Sequence, residues 1–386
     1  MEHQHIVNFV GEDHESYFNA VAPPIIQTSN FCYNSVDDMA AALENELHVP
    51  VYTRGNNPTV EILRKKLAAL EGTDDCLVTS SGCAAITAAV LSCVQSGDHI
   101  VSIKGAYSWT NHLFASMAPK WGIETTFVDG TEHNNFKRAL RTNTRLIYLE
   151  SPTSWMFDLQ DLRKVSEMAK ERGIITIIDN SYSTPVNQNP ADLGTDLVVH
   201  SASKYLGGHS DLVAGVICGS SEKIAGIFRN EFMTFGGIIS PFNAWLMIRG
   251  LRTLEIRLEK SRQNALEVIG YLQNEPKVER VIYPFLPDHP QYELAKKQMK
   301  AGNGLFTILL KTGDARKVKN FCNHLKLFRL AVSWGGYESL AFPAIATSGQ
   351  KHENKNKLPV NAVRLYCGLE DPKAQVKDLQ QALEKI

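Results

Sequence analysis

Short apolar segments alternate with helical patterns through much of the chain. Leu162, Val165 and Ala169 recur at helical spacing before Gly173, which marks the end of a helix. Residues 174–178 then form a continuous apolar run, which is typical of a strand buried on both faces. Strands that alternate with helices predict an α/β fold with a mainly parallel sheet flanked by helices. The predicted strands cover residues 76–79, 99–103, 125–128, 145–149, 174–178, 197–199 and 213–218.

The pattern changes on both sides of this region. Residues 1–48 contain Pro23-Pro24 and no sustained period, so we predict an irregular arm that contacts a neighbouring subunit. A helical pattern over residues 243–272 predicts one long helix that leads into a smaller domain with further strands and helices. The predicted division is an extended N-terminal arm of residues 1–48, a large α/β domain of residues 49–245 and a small C-terminal α/β domain of residues 246–386.

The charge and composition argue against polyanionic partners. The 386 residues include 40 Lys and Arg and 41 Asp and Glu, so no broad field would attract nucleic acid or a membrane surface. No apolar run reaches about 18 residues, and the first residues lack the basic and apolar segments of a signal peptide. Seven cysteines without a Cys-x-x-Cys pair favour free thiols. We therefore expect a cytoplasmic protein without a metal site and without nucleic-acid or membrane partners.

Three polar features follow predicted strands. Ser80-Ser81-Gly82 leads into a helix whose free N–H groups could hold a phosphate, although such a segment is usually a simple cap. Asp179 ends a continuous apolar strand, where a carboxylate needs a cation unless it only caps a turn. Lys204 lies within HSASKYLGGHSD, residues 200–211; such a lysine is usually on the surface, but one desolvated near a phosphate is a nucleophile toward carbonyls.

Together these features fit one cofactor. Ligands of parallel α/β sheets bind at the carboxyl ends of the strands, where all three features fall. A phosphate site, an acid for a ring nitrogen and a lysine amine are the groups that pyridoxal 5′-phosphate requires. The sequence therefore predicts a pyridoxal phosphate site at this edge of the sheet.

Longer motifs support this prediction. They are YTRGNNPT (52–59), SSGCAAI (80–86), ESPTS (150–154), IIDNSYSTP (177–185), HSASKYLGGHSD (200–211), GLRTLEIRL (250–258) and VRLYCGLED (363–371). With these motifs the chain resembles the cysteine/methionine-metabolism family of pyridoxal phosphate enzymes over essentially its whole length. The resemblance implies the aspartate-aminotransferase-like fold type, with a mainly parallel seven-stranded sheet in a large cofactor-binding domain. It also implies a homodimer with shared active sites, usually assembled into a tetramer.

The resemblance also implies roles for individual residues. Lys204 matches the lysine that holds the cofactor covalently, and Asp179 matches the acid that pairs with the pyridine nitrogen. Tyr107 matches the tyrosine that stacks on the ring, although alone it would be taken for a core aromatic residue. The matched phosphate ligands are the N–H groups of Gly82 and Cys83, the hydroxyls of Ser201 and Ser203 and, from the neighbouring subunit, the catalytic Tyr52 together with Arg54.

A second set of matches concerns the substrate. Arg364 matches the arginine that binds the substrate α-carboxylate; the alternative is an exposed strand arginine in a simple alternating pattern. Ser333 and Trp334 would lie beside that carboxylate. Ser154 stands where most members carry asparagine after ESPT.

The expected reaction is the cleavage of a carbon–sulfur bond. SWGGYESL (333–340) and Ser154 favour the members that eliminate the β-thiolate of L-cystathionine, an amino-acid thioether, to give homocysteine, pyruvate and ammonia in methionine biosynthesis. Trp109 stands where methionine γ-lyases carry a loop cysteine, which weakens the alternative of a methionine or cystathionine γ-lyase. A γ-synthase-type enzyme is a further alternative. A cofactor-binding regulator without turnover is the non-enzyme alternative, and the intact lysine, acid and arginine argue against it.

Overall fold

The computed structural model describes residues 2–347 and 358–386. Its first sheet is built from β1 (Asp75–Thr79), β2 (His99–Ile103), β3 (Glu124–Val128), β4 (Thr144–Glu150), β5 (Ile175–Asp179), β6 (Leu197–Ser201) and β7 (Gly215–Gly219). In the described part of the chain these seven strands lie in the order β1-β7-β6-β5-β4-β2-β3. Strands from β6 to β3 pair in parallel, whereas β7 is antiparallel to both β1 and β6. The predicted mainly parallel sheet is confirmed.

The central strands are apolar because they lie in the core. Leu146, Ile147, Ile177, Ile178 and Val198 are fully buried. Such continuous apolar runs are the ordinary sequence of strands that are covered on both faces. The hydrophobic driving force therefore stabilises these strands in the core, and their parallel pairing places their carboxyl ends at one edge.

Helices pack around this sheet and continue beyond it. They are α1 (His3–Phe9), α2 (Val36–Glu44), α3 (Pro58–Glu71), α4 (Gly82–Leu91), α5 (Ser108–His112), α6 (His133–Ala139), α7 (Leu162–Lys170), α8 (Thr184–Asn187), α9 (Ser221–Ile227), α10 (Met233–Phe235), α11 (Pro241–Leu251), α12 (Leu254–Leu272), α13 (Tyr292–Gln298), α14 (Ala315–Asn323) and α15 (Pro372–Leu383). Helices α3, α4, α7 and α9 contact strands of the first sheet. Helix α4 begins at Gly82 because the Oγ of Ser81 accepts the N–H of Ala84 at 3.1 Å.

The N-terminal segment is more regular than expected. The prediction of irregular structure over residues 1–48 was wrong, because α1 and α2 lie within it. Ser35 caps α2 by accepting the N–H of Asp38 at 3.0 Å. Helix α1 is held by the buried Lys66 of α3, whose Nζ donates to the carbonyl of Val7 at 3.0 Å and lies 2.9 Å from a carboxylate oxygen of Glu12. Helices this short depend on tertiary contacts, which sequence periodicity does not reveal.

The single long helix predicted over residues 243–272 is also corrected. The structure divides it into α11 and α12, with a break at Arg252 and Thr253. The Nη2 of Arg257 donates to the carbonyl of Gly250 at 2.8 Å, and its Nε donates to the Oγ1 of Thr253 at 3.1 Å. This side chain satisfies polar groups at the break, so the helix can be interrupted without leaving them unpaired.

A second, smaller sheet follows in the chain. Its strands are β8 (Val278–Ile282), β9 (Leu305–Leu310), β10 (Arg329–Leu330), β11 (Leu340–Pro343) and β12 (Ala362–Tyr366). Over the described residues these five strands lie in the order β10-β11-β12-β9-β8, and all neighbours except β10 and β11 are antiparallel. Its buried residues, including Phe306, Ile308 and Leu365, form a core with α12, α14 and α15. The predicted smaller α/β part is confirmed.

None of the described helices is long and apolar enough to cross a membrane.

Candidate active site

A cavity of about 1190 Å³ lies at the carboxyl edge of the first sheet. Its wall includes the ends of β5 and β6, the start of α4 and residues that precede or belong to strands of the second sheet. Most of the residues predicted for the site therefore meet here, although they are far apart in the chain. They are Gly82, Cys83, Tyr107, Ser154, Asp179, Ser201, Ser203, Lys204, Ser333, Trp334 and Arg364.

The start of α4 forms a close-packed corner of the cavity. A Cβ added at Gly82 would lie 3.0 Å from both the Cα and the Cβ of Ser201. Glycine is therefore needed where the two backbones approach. The first N–H groups of this helix have no partner within the helix and carry its partial positive charge. They can therefore bind an anion such as a phosphate.

The two predicted serine ligands differ in their contacts. Ser201 ends β6, and its N–H donates to the Oγ of Ser181 at 2.6 Å. The hydroxyl of Ser203 accepts the N–H of Ala214 at 3.0 Å and lies 3.3 Å from the carbonyl of the same residue. Ser203 would have to release that carbonyl in order to donate to a phosphate.

Asp179 ends β5 as a buried carboxylate. One of its oxygens accepts the N–H of Ser181 at 2.9 Å. Burial raises the pKa of Asp179, while the bonds from Ser181 and the nearby His200 and Lys204 side chains oppose the shift. A carboxylate held in this way can stabilise a protonated ring nitrogen, which fits its predicted role.

Lys204 lines the cavity and contacts residues that lie between strands of the second sheet. Its Nζ donates to the Oγ of Ser333 at 2.5 Å and lies 4.8 Å from the ring centre of Trp334. Burial and the nearby Arg364 cation lower the pKa of Lys204 to about 8. A substantial fraction of this amine is neutral near physiological pH, so the usual surface lysine is excluded and a nucleophile or base is supported.

Tyr107 stands directly before α5 and also lines the cavity. Its backbone N–H donates to the Oε2 of Glu150 at 2.7 Å, and its side chain is 37% exposed in this chain. Burial, together with the adjacent Cys83 thiol, raises the pKa of the Tyr107 hydroxyl, which stays protonated at neutral pH. The phenol therefore offers an open aromatic face at the cavity and is not the core residue that its sequence alone would suggest.

Arg364 is a buried cation enclosed by aromatic rings. Its guanidinium carbon lies 4.9 Å from the ring centre of Trp155, 4.8 Å from that of Trp334 and 5.3 Å from that of Phe342. Its Nη1 donates to the carbonyl of Ser154 at 3.0 Å. With only 5% of the residue exposed, the alternative of an exposed strand arginine is excluded.

Glu150 acts on the charge of this arginine from a distance and raises its pKa, without a direct ion pair. Across residues 2–347 and 358–386, no aspartate or glutamate forms an ion pair with Arg364. Burial lowers its pKa to about 10, which still leaves it charged at neutral pH. The Nε1 of Trp334 is also buried without a hydrogen-bond partner in the described structure. A buried guanidinium and an unpaired indole N–H at one wall of a cavity suit a carboxylate ligand.

Tyr52 and Arg54 do not reach this cavity within one chain. Both are exposed, and the guanidinium carbon of Arg54 lies 5.8 Å from the ring centre of Tyr52. The predicted contact with a neighbouring subunit's phosphate therefore stays a prediction.

Some residues of the site were not predicted from the sequence. Glu150 ends β4 as Asp179 ends β5, and the register places the two side by side. The same signal, an acid that closes a buried apolar strand, was present at both positions. Trp155 and Phe342 gave no such signal, because their shared contact with Arg364 exists only in the folded chain.

Comparison with known proteins decides the family. The sequence profile described as "Cys/Met metabolism PLP-dependent enzyme" matches residues 5–384. The chain belongs to this family.

Individual members of the family are similar to this chain over nearly their whole length. An L-methionine gamma-lyase from Treponema denticola is 39% identical over 376 residues, which covers 96% of this chain and 94% of that protein. A cystathionine gamma-lyase from Bacillus subtilis is 38% identical over 339 residues, which covers 87% of this chain and 89% of that protein. The crystal structure of metB from Corynebacterium glutamicum matches with a TM-score of 0.92 at 32% identity and covers 100% of this chain and 98% of that one.

The family is dependent on pyridoxal phosphate, and the residues of the cavity fit this cofactor. The corner at Gly82 has free N–H groups and no room for a side chain, which suits a phosphate. A buried carboxylate at Asp179 and an amine of lowered pKa at Lys204 supply the other two groups that the cofactor needs.

Proposed function

We propose that this member of the family is a lyase that cleaves the Cβ–S bond of L-cystathionine. The observation that carries the proposal is the position of Lys204, whose Nζ is bonded to Ser333 at 2.5 Å and faces the ring of Trp334 at 4.8 Å. A β-elimination requires one carbon-bound proton to be removed, from Cα, whereas a γ-elimination requires a second removal at Cβ. A base held in one place by a short hydrogen bond and a bulky ring suits the single transfer.

Several residues would hold the cofactor in this proposal. Lys204 would carry it covalently, Asp179 would face its pyridine nitrogen and Tyr107 would cover its ring. The N–H groups of Gly82 and Cys83 and the hydroxyls of Ser201 and Ser203 would bind its phosphate. When bound, pyridoxal phosphate supplies an electron sink for a carbanion at Cα, and the negative charge of Asp179 keeps the nitrogen of that sink protonated.

The substrate would be fixed by its α-carboxylate. Arg364 offers a buried guanidinium without a direct ion pair, and Trp334 offers a free Nε1–H on the same wall. The carbonyl of Ser154 holds one end of the guanidinium fork at 3.0 Å and leaves the other donors to the substrate. The aromatic rings exclude water from this ion pair, which strengthens it.

Proton transfer would centre on the Nζ of Lys204. Its lowered pKa of about 8 makes the neutral amine available to accept the Cα proton. The resulting ammonium is then one donor for the departing sulfur, and the protonated hydroxyl of Tyr107 is another. The thiolate leaves as homocysteine, and the remaining three carbons are released as pyruvate after ammonia is lost by hydrolysis. This reaction would serve methionine biosynthesis.

The proposal includes an assembly and a cellular location. The N-terminal arm of residues 1–48 would contact a neighbouring subunit, and Tyr52 and Arg54 would complete that subunit's phosphate site, with Tyr52 as a catalytic residue. Residues 49–245 would form the cofactor-binding domain and residues 246–386 the small domain. The homodimers would pair into tetramers. Seven cysteines, all of them free thiols, favour the cytoplasm.

A second candidate is cleavage at the γ-carbon. It is favoured by the names of similar proteins, which include L-methionine gamma-lyases and cystathionine gamma-lyases at 35–39% identity. Trp109, which is 51% exposed at the cavity, distinguishes this chain from the methionine γ-lyase pattern of a cysteine at that position.

A two-substrate comparison tests the proposal. L-Methionine has a Cγ–S bond and no Cβ–S bond, whereas L-cystathionine has both. We expect the purified holoenzyme to turn over L-cystathionine and to release little methanethiol from L-methionine. Comparable turnover of L-methionine would support the γ-lyase instead.

A further inference from the structure

Glu150 is a buried acid that the proposed reaction does not use. It closes β4 at the cavity, is 5% exposed and lies beside Asp179 in the sheet. Burial and then the charge of Asp179 raise the pKa of Glu150, while the N–H groups of Tyr107 and Ser154 lower it by bonding to the ionised form. Two neighbouring acids are costly to keep in a desolvated site, so the contacts of Glu150 must compensate.

The two oxygens of Glu150 connect two separate loops. Oε2 accepts the N–H of Tyr107 at 2.7 Å, and Oε1 accepts the N–H of Ser154 at 3.0 Å. Tyr107 is 43 positions away in the chain. One carboxylate therefore sets the distance between the loop that carries the aromatic face and the loop that follows β4.

The second loop continues the connection to the substrate-binding wall. The carbonyl of Ser154 accepts the Nη1 of Arg364 at 3.0 Å, so only one residue separates the carboxylate from the guanidinium. The next residue, Trp155, lies 4.9 Å from the same guanidinium carbon. A shift of Ser154 would therefore move two of the groups that hold Arg364.

We propose that Glu150 is a positioning residue that fixes Tyr107 and Arg364 relative to each other, and so aligns the cofactor ring with the substrate carboxylate. The role assigned to Glu150 rests on the proposed binding of the cofactor and of an amino acid at this cavity. It does not depend on which carbon–sulfur bond is cleaved. Both loops need an acceptor, and a carboxylate is the side chain that offers two of them in a fixed plane.

The variant Glu150→Gln tests this role with almost no change of volume. A glutamine has one acceptor oxygen and one amino group, so it can accept only one of the two N–H groups and faces the other with a donor. Binding of L-alanine, which has no leaving group, can be followed through the visible absorbance of the holoenzyme. We expect the dissociation constant for L-alanine to rise on the order of tenfold, the effect of one lost charge-assisted hydrogen bond.

A double-mutant cycle separates positioning from general damage. In an Arg364→Ala background, Glu150→Gln should weaken L-alanine binding by less than about twofold, because the arginine through which it acts is gone. The visible circular dichroism of the bound cofactor should also change in Glu150→Gln, since the loop of Tyr107 is released. An equal loss in both backgrounds, or wild-type binding of L-alanine by Glu150→Gln, would overturn the proposal.

Asp158→Asn provides a matched control. It also removes one carboxylate from the segment after β4, but its side chain contacts neither the N–H of Tyr107 nor that of Ser154. We expect wild-type binding and dichroism, and a change as large as that of Glu150→Gln would count against the assignment. If Glu150→Gln does not fold, Glu150→Asp keeps the charge but is too short to reach both N–H groups, and it should show the same pattern. Failure of the proposed β-elimination would appear only in product analysis, so the two outcomes are distinguishable.

Discussion

The Nζ of Lys204 lies 2.5 Å from the Oγ of Ser333. Lys204 follows β6 of the first sheet, whereas Ser333 lies between β10 and β11 of the second. Ser333 has a φ of 84°, a left-handed conformation that costs a residue with a Cβ about 1–2 kcal/mol. The contact between the two sheets is therefore maintained at a cost, which indicates a functional need for the hydroxyl.

Ser333→Ala should lower kcat about 10- to 100-fold, because Lys204 loses the charge-assisted hydrogen bond that holds it. Steady-state kinetics with L-cystathionine measure this effect. Ser333→Gly is the matched control, since it also removes the hydroxyl but relieves the left-handed backbone. Equal losses in the two variants support the hydroxyl, whereas a normal kcat in Ser333→Gly would show that the backbone alone matters.

Lys204→Ala should abolish turnover and leave the fold intact. The residue is the sole amine assigned both to the cofactor and to the Cα proton, and its removal opens only a small space beside Trp334. Turnover and far-UV circular dichroism measure the two parts of this prediction. Lys104→Ala, at an exposed lysine of the same cavity, should retain near-wild-type activity. A wild-type rate in Lys204→Ala would refute its role.

The rate at which the apoprotein binds pyridoxal phosphate covalently should depend on pH. The neutral amine is the nucleophile, and the pKa of Lys204 is lowered to about 8 by burial and then by Arg364. The neutral form grows as pH rises through this value, so the rate should increase from pH of about 6 and level off above about 9. Stopped-flow absorbance measures it. A rate that still rises through pH of about 10 would indicate an ordinary lysine.

Mixed subunits should reveal shared active sites. If Arg54 completes the phosphate site of its neighbour, chains carrying Lys204→Ala and Arg54→Ala can pair so that one of two sites is intact. Random pairing of co-expressed chains should then restore about a quarter of wild-type activity, although each variant alone is nearly inactive. Co-expression of Lys204→Ala with Asp179→Ala is the control, because no pairing leaves an intact site. Absence of restoration with Arg54→Ala would place that residue outside the site.

Features that depend on local pattern were predictable from the sequence. Continuous apolar runs located the strands of the first sheet, and polar residues at their ends located Asp179 and Lys204. The roles of the exposed Tyr52 and Arg54 could not be predicted in this way, since these roles depend on contacts with another subunit. The resemblance to a family supplied their proposed roles.

Features that depend on tertiary contact were not predictable. The break between α11 and α12 follows from Arg257, whose guanidinium reaches back to Gly250. The cage around Arg364 joins Trp155 to Phe342, residues from separate parts of the chain. No periodicity or motif in the sequence indicates either contact, so only the folded structure reveals them.

One measurement tests the central claim most directly. L-Cystathionine presents a Cβ–S bond and a Cγ–S bond in one molecule, and the keto acid formed identifies the bond that was cleaved. Chromatographic quantification of the two keto acids from the wild-type holoenzyme gives their ratio in a single experiment. β-Elimination predicts pyruvate together with homocysteine as the dominant pair. A dominance of 2-oxobutyrate together with cysteine would contradict it.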